Sequence, residues 1–178
     1  DKKFLAVNCA AIPHDLMESQ LFGHRRGAFT GADREQPGLF ASVGEGIVFL
    51  DEISELATGT QAKLLRAIEQ KEVLPVGATD PVSVKCRIIA ASNRDLAKEV
   101  DGGRFREDLF YRLNVVSIQL PPLRERRDDI PELVEFFLAK HSREMGKRLS
   151  GVDNSTMRLL MAATWRGNVR ELENAIER

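Results

Sequence analysis

The sequence holds little of what would mark a specialised environment: two cysteines, three histidines and a formal net charge of -1 across 178 residues. Cys9 and Cys86 lie far apart and neither sits in a paired spacing, so both read as reduced core residues. His14, His24 and His141 have no ligand spacing, and His24 falls in a loop, which leaves a histidine-built metal centre without support. A charge so close to zero excludes attraction of nucleic acid to the whole surface; any such contact has to be local. No apolar run approaches the ~20 residues that span a bilayer, and no cationic-then-apolar leader opens the chain. A cytoplasmic protein with no membrane partner is therefore expected. Internal repeats and low-complexity stretches are missing too. The chain starts without methionine at "DKKFLAVNCAA" and stops at "ENAIER" inside a helical pattern, which sets the expectation of a segment of a longer protein.

What is present is an ordinary globular composition, 43% hydrophobic and 30% charged, enough for one domain with a small appendage. Apolar runs bounded by turn signals predict buried strands at Phe4 to Cys9, Ile47 to Leu50, Arg87 to Ala91 and Val115 to Leu120. Helical patterns separate them. Ala62, Leu65 and Ile68 mark one face of "TQAKLLRAIEQ", and Phe105, Leu109 and Leu113 recur at i, i+4, i+8. Strands alternating with helices predict the α/β class: a parallel sheet joined by right-handed crossovers and covered on both faces. Residues 73 to 84, "VLPVGATDPVSV", place two β-prone runs around Gly77 to Pro81 and predict a hairpin-like excursion.

After "LPPLRERRDD" the pattern becomes purely helical. Asp129 is the predicted N-cap of a first helix, with Pro131 in its first turn and the stripe Ile130, Leu133, Val134, Phe137, Leu138 behind it. Met157, Leu160 and Met161 supply a second helix. Asn168 with Glu171 predicts a capping box that opens a third, whose buried side is Val169, Leu172 and Ile176.

In "GIVFLDE", residues 46 to 52, Asp51 and Glu52 emerge from the carboxyl end of a strand expected to be central. Open α/β sheets bind ligands at that edge. A carboxylate there can hold Mg2+, and a second can orient or deprotonate an attacking water. An acidic turn that caps the next helix is the plainer alternative. The third strand runs into "ASNRD", so parallel strands would bring Ser92 and Asn93 to the same edge, and Asn8 ends the first strand in a comparable way. Each amide alone is explained by a strand-end hydrogen bond; such ends at all three strands favour a site.

"GHRRGAFTGADRE", residues 23 to 35, brackets Ala28, Phe29 and Thr30 between Gly27 and Gly31, with Ala32 beyond. The two glycines allow backbone angles closed to other residues, so the loop can stand out or fold down. Phe29 offers a partner an apolar anchor and Thr30 a hydroxyl. The alternatives are a tight turn with Phe29 tucked into the core and a phosphate loop, which fails because no lysine follows a glycine here.

"GAFTGA", "GIVFLDE", "FREDLFYRLNV", "LPPLRER" and "WRGNVREL", in that order, resemble the AAA+ domain of the bacterial enhancer-binding proteins that activate sigma-54 RNA polymerase. The resemblance runs along essentially the whole chain. It implies an AAA+ P-loop-type parallel sheet with flanking helices over residues 1–122 and a three-helix lid subdomain over residues 123–178. The first part would hold the GAFTGA loop (23–35), the Walker B segment (46–52), a second loop (73–84), the sensor I region (91–93) and an arginine-finger helix (104–113).

The resemblance further implies ATP and Mg2+ as cofactors. ATP hydrolysis would remodel the closed complex of the sigma-54 RNA polymerase holoenzyme through the loop Gly27, Ala28, Phe29, Thr30, Gly31 and Ala32. By the same resemblance Asp51 serves the Mg2+-bound nucleotide, Glu52 activates water, and Asn8 is the switch that restrains Glu52. Ser92 and Asn93 fall in sensor I, Arg106 and Arg112 are fingers that reach the γ-phosphate of a neighbouring subunit, and Arg170 is the sensor II arginine acting in cis. Fingers acting in trans imply a ring, a hexamer as in relatives, and a downstream domain would bind promoter or enhancer DNA. The chemistry agrees, because phosphoryl transfer rests on positioned charge and guanidinium forks suit phosphate. Taken alone, Arg106 and Arg112 are solvated charge beside Glu107 and Asp108, whereas Arg170 opposes the dipole at a helix start and hints at an anion.

The chain departs from the family at two points. Arg166 stands where relatives carry proline between Trp165 and Gly167, which loosens a turn. No G-x-x-x-x-G-K-[ST] run occurs, so the phosphate cradle, with its strand and helix, is expected upstream. That strand would lie between the third and fourth predicted strands, and the segment by itself is expected to bind ATP poorly. A degenerate AAA+ module that assembles without hydrolysis is the alternative; retention of Asp51, Glu52, Arg106 and Arg112 speaks against it.

Overall fold

A computed structural model describes residues 2–146 and 151–178, and the chain divides into two compact units, residues 1–117 and 118–178. In chain order the first unit carries β1 (Phe4–Asn8), α1 (His14–Phe22), β2 (Gly23–His24), β3 (Gln36–Pro37), α2 (Leu39–Ser42), β4 (Ile47–Asp51), α3 (Thr58–Glu69), β5 (Glu72–Val73), β6 (Val82–Ser83), β7 (Arg87–Ala90), α4 (Leu96–Asp101) and α5 (Glu107–Leu113). The second carries α6 (Ile130–Met145), α7 (Asn154–Ala162) and α8 (Asn168–Glu177).

The predicted parallel sheet is present, in the order β1-β4-β7. Central β4 buries Val48 and Leu50 completely, and α3 and α5 contribute Leu64 and Leu109 to the same core. Phe22 and Phe40 stack at 5.8 Å within it; each such side chain contributes about 1.5–3 kcal/mol on burial. Cys9 and Cys86 are buried free thiols. The excursion expected over residues 73–84 is a short antiparallel hairpin of β5 and β6.

The fourth predicted strand does not form. Val115, Val116, Ile118 and Leu120 lie at least 78% exposed, and no backbone N–H from Val116 to Leu120 has a partner among the described residues. A strand exists only through its ladder, and β7 is the last strand of the sheet, so apolar sequence alone leaves this segment without strand structure.

The buried face of α3 is also rotated from the prediction. Thr60, Gln61, Leu64 and Ala67 are buried, while Ala62, Leu65 and Ile68 are half-buried. A reading by hydrophobicity passes over Gln61, whose polar atoms are met by backbone groups inside the core.

In the second unit Leu123, Ile130, Val134, Phe137, Trp165 and Leu172 form the core. Trp165 donates its indole N–H to the Leu160 carbonyl at 2.7 Å. Asp129 does precede α6, but its backbone is already helical (φ -79, ψ -16) and its side chain makes no capping bond. Its carboxylate lies 3.7 Å from Arg126 instead. The capping box predicted at α8 is half formed. Glu171 accepts the N–H of Gly167 at 2.8 Å, whereas Asn168 turns to the N–H of Leu123 at 2.9 Å. The strongest cap is Asp153, which accepts the N–H groups of Ser155 and Thr156 at the start of α7.

Candidate functional site

The strand ends meet along one edge of the sheet. Asn8 and Asp51 are the last register pair of β1 and β4. The N–H of Ala91 donates to the Leu50 carbonyl (2.8 Å), and the N–H of Ile53 donates to the Ala91 carbonyl (3.0 Å). These two bonds stitch the acidic turn to the segment carrying Ser92 and Asn93.

Asp51 Oδ1 accepts the N–H of Glu52 at 3.0 Å. Its second oxygen, and both oxygens of Glu52, have no hydrogen-bond partner among the described residues. Glu52 sits in the left-handed region (φ 53, ψ 46), which costs a non-glycine residue about 1–2 kcal/mol. The Ile53–Ala91 bond and the fully buried Ile53 side chain hold it there. The buried Cys9 thiol lies within the field of this pair: burial first, then the charges of Asp51 and Glu52, push it up to about 11.

Asn8 Oδ1 accepts the N–H of Ala10 at 2.8 Å and caps the turn Cys9–Ala11, which leaves its amide donors open. The Ser92 hydroxyl donates to the Arg94 carbonyl (2.9 Å) and accepts the Arg94 N–H (3.0 Å), closing a local turn. Asn93 is exposed.

No cluster of three or more histidine, cysteine, aspartate or glutamate side chains among the described residues forms a protein-only metal cage. The open oxygen of Asp51 suits an ion that brings its remaining ligands as phosphate and water, which is how Mg2+ binds.

Arg106 and Arg112 share α5 and its N-cap. Arg106 grips Asp108 through Nε (3.0 Å) and Nη2 (2.6 Å), which holds the Asp108 carboxyl below its usual range. Arg112 is exposed with no ion pair among the described residues. Arg170 is exposed on α8, in the other unit.

Three groups escaped the sequence reading. Arg94 bridges to Glu55 at 2.6 Å, and Arg104 makes a bidentate pair with the buried Glu99 at 2.7 and 2.9 Å. Gln61 ties α3 to the segment before α5. Its place three residues before Leu64 on the same helical face was the available signal.

The loop at 23–35 stands on the β2–β3 ribbon, where Gly23 pairs with Pro37 and His24 with Gln36. It is also joined to the hairpin excursion, since Arg25 N–H donates to the Val76 carbonyl and Val76 N–H to the Gly23 carbonyl. Gly27 (φ 79) and Gly31 (φ 97) take left-handed angles, and the Gly27 N–H donates to the Ala32 carbonyl at 2.8 Å. Ala32 is buried, Ala28 half-buried and Thr30 exposed. Phe29 is outside the core, 39% exposed, with its ring edge-on to His24 at 5.0 Å. His24 is itself buried rather than a free loop residue, and its Nδ1 lies 2.7 Å from the Ser19 hydroxyl.

The model of the sigma-54 interaction domain matches residues 1–119, and the model of the AAA+ ATPase lid domain matches residues 124–178. The Nif-specific regulatory protein of Azotobacter vinelandii is 54% identical over 177 residues, covering 99% of this chain and 34% of that protein. The transcriptional regulatory protein ZraR of Escherichia coli K12 is 50% identical over 178 residues, covering 100% of this chain and 40% of its own length. The chain thus spans about a third to two fifths of these curated relatives. Among solved structures, NtrX from Brucella abortus in complex with ADP superposes with a TM-score of 0.90 at 38% identity, over 99% of this chain and 38% of that one. Hsp104 of S. cerevisiae, at 15% identity and a TM-score of 0.69, shares the fold. The strand-end carboxylates, the glycine-hinged loop and the helical second unit thus occur together in a chain that belongs to the sigma-54 interaction domain family, with an AAA+ lid domain following it.

Proposed function

We propose that this chain is the nucleotide-driven part of a sigma-54-dependent transcription activator, an ATP hydrolase in the full-length protein. The observation that carries the reading is the alignment of Asn8, Asp51, Glu52 and the Ser92–Asn93 segment on the carboxyl edge of a parallel sheet. Ligands of open α/β sheets bind at that edge. ATP with Mg2+, when bound, supplies the transferable phosphoryl group and a cation to neutralise its charge. Asp51, with one carboxylate oxygen open, would hold the Mg2+. Glu52, with both oxygens open, orients the attacking water and takes its proton. Asn8 restrains Glu52 through its amide donors, and Ser92 and Asn93 respond to the phosphate state. Arg106 and Arg112 complete the site of a neighbouring subunit, which makes the active form a ring, a hexamer by analogy with relatives. Arg170 contacts nucleotide in cis.

The working division is a core over 1–122 and a lid over 123–178. No helix among the described residues is long and apolar enough to cross a membrane; the proposed location is the cytoplasm. The loop Gly27–Ala32 presents Phe29 and Thr30 to sigma-54 in the polymerase holoenzyme, and DNA is bound by another domain.

The test uses the full-length protein. Glu52→Gln should abolish ATP turnover. Phe29→Ala should abolish activated transcription while leaving basal ATP hydrolysis largely intact. Absence of ATP turnover in the parent protein would favour an assembly module without ATPase activity, and full turnover in the Glu52 variant would take water activation away from Glu52. Parallel loss of both activities in the Phe29 variant would return that side chain to a structural role.

A further inference from the structure

We infer that Gln61 is a positioning residue for Arg106: its buried carboxamide fixes the backbone that presents the finger and ties it to the segment following the acidic pair. The inference rests on the reading of Arg106 as a finger acting in trans.

Gln61 is fully buried in the first turn of α3. Its Nε2 donates to the Leu56 carbonyl (2.7 Å) and to the Arg104 carbonyl (3.0 Å), and its Oε1 accepts the N–H of Arg106 (2.8 Å). All three partners are main-chain groups, drawn from two separate segments. Leu56 closes the short turn Ile53–Glu55 that begins at Glu52. Arg104 and Arg106 flank the buried Phe105 at the entry to α5.

The neighbouring bonds show why Gln61 matters at Arg106 in particular. The N–H groups of Arg104 and Phe105 both donate to the Glu99 carbonyl, at 2.9 and 3.1 Å, and the Arg104 guanidinium is held by the Glu99 carboxylate. The N–H of Arg106 is the next in line, and Gln61 takes it. Arg106 is the N-cap residue of α5 but gives the helix no side-chain cap, because a guanidinium has only donors and cannot accept a backbone N–H; its fork donates to Asp108 instead. Gln61 therefore anchors the start of this helix from a different element. Only a carboxamide supplies two donors and an acceptor in this arrangement. A displacement of the turn after Glu52, carried by Leu56, thus reaches Arg104 and Arg106 through one rigid side chain.

The experiment uses the full-length protein and mixed rings. Gln61→Met keeps a side chain of similar length and removes all three bonds. Its kcat for ATP should fall by on the order of 10²-fold with KM little changed, as expected when a group needed only in the transition state is misplaced. In such rings every site keeps Glu52 but receives a displaced Arg106. Rings of Glu52→Gln have the opposite defect. Mixed one to one, the two variants should recover about a quarter of the wild-type rate, since random assembly gives a site the intact Glu52 and an intact neighbouring finger with that frequency.

Recovery no greater than the average of the two parent rings, while an Arg106→Ala plus Glu52→Gln mixture does recover, would overturn the inference and leave Gln61 a packing residue of its own subunit. Failure of the Arg106→Ala mixture as well would overturn the trans-finger reading, and the inference with it. Should the methionine variant not assemble, Gln61→Glu keeps the size and the acceptor oxygen and goes through the same mixing with the same outcomes.

Discussion

Glu52 and Asp153 are both acidic, both stand at the N-cap of a helical turn, and are used in opposite ways. Glu52 is held in a left-handed backbone with its carboxylate left open. Asp153 spends its carboxylate on the hydroxyls of Ser155 and Thr156 and on their N–H groups. Those bonds, the Ser155 hydroxyl foremost, hold the Asp153 carboxyl well below the usual aspartate range. A depressed folded pKa means stabilisation that is complete above the unfolded value of about 3.9 and fades as pH falls below it. Asp153→Ala should therefore lower Tm at pH 7, and the gap from the parent should narrow as pH falls from about 5 towards 3. A gap that stays constant would remove the carboxylate from the account. The sequence identified Asp51 and Glu52 because two acids after an apolar run are visible as letters. It could not show the left-handed angle of Glu52, which a bond to Ala91, far along the chain, enforces. For the same reason the sequence reading takes Asp129 as a cap and passes over Asp153; the deciding variable is backbone angle, extended at Asp153 and helical at Asp129.

Elements here are placed as much by close backbone approach as by side-chain packing. The end of α1 and the step from β3 into α2 meet at Gly38, where an added Cβ would lie 2.3 Å from the Gly23 nitrogen and 2.6 Å from the Leu21 carbonyl oxygen. Both neighbours are main chain and cannot yield by changing rotamer. Gly38→Ala should cost about 1–3 kcal/mol in chemical denaturation, the range for forcing atoms into a filled space. It should also weaken amide protection at His24, on the ribbon that carries the Phe29 loop; unchanged protection there would uncouple the ribbon from α1. The predicted strands β1, β4 and β7 and the hairpin were readable because apolar or β-prone runs bounded by turn residues leave a local mark. The orientation of α3 was not, because a fully bonded glutamine can occupy a core position that a hydrophobic pattern reserves for leucine.

At the scale of the whole molecule, the exposed run Val115–Leu120 is the clearest mismatch between composition and environment. Four large apolar side chains face solvent while the N–H groups from Val116 to Leu120 have no partner among the described residues. Amides 116–120 should exchange as fast as in an unfolded peptide in the 178-residue chain, while those of β4 remain protected. In a longer polypeptide carrying a phosphate-binding loop, the same amides should gain protection and ATP affinity should rise with them. Equal protection and equal affinity in both chains would refute a missing neighbour strand. By itself the sequence determined the α/β class, the places of the three paired strands of the parallel sheet and the identity of the strand-end carboxylates, since each depends on side-chain type and local period. Tertiary structure alone decided which of those side chains are spent and which stay open, and whether an apolar run becomes a strand, because both depend on backbone partners contributed by residues remote in the chain.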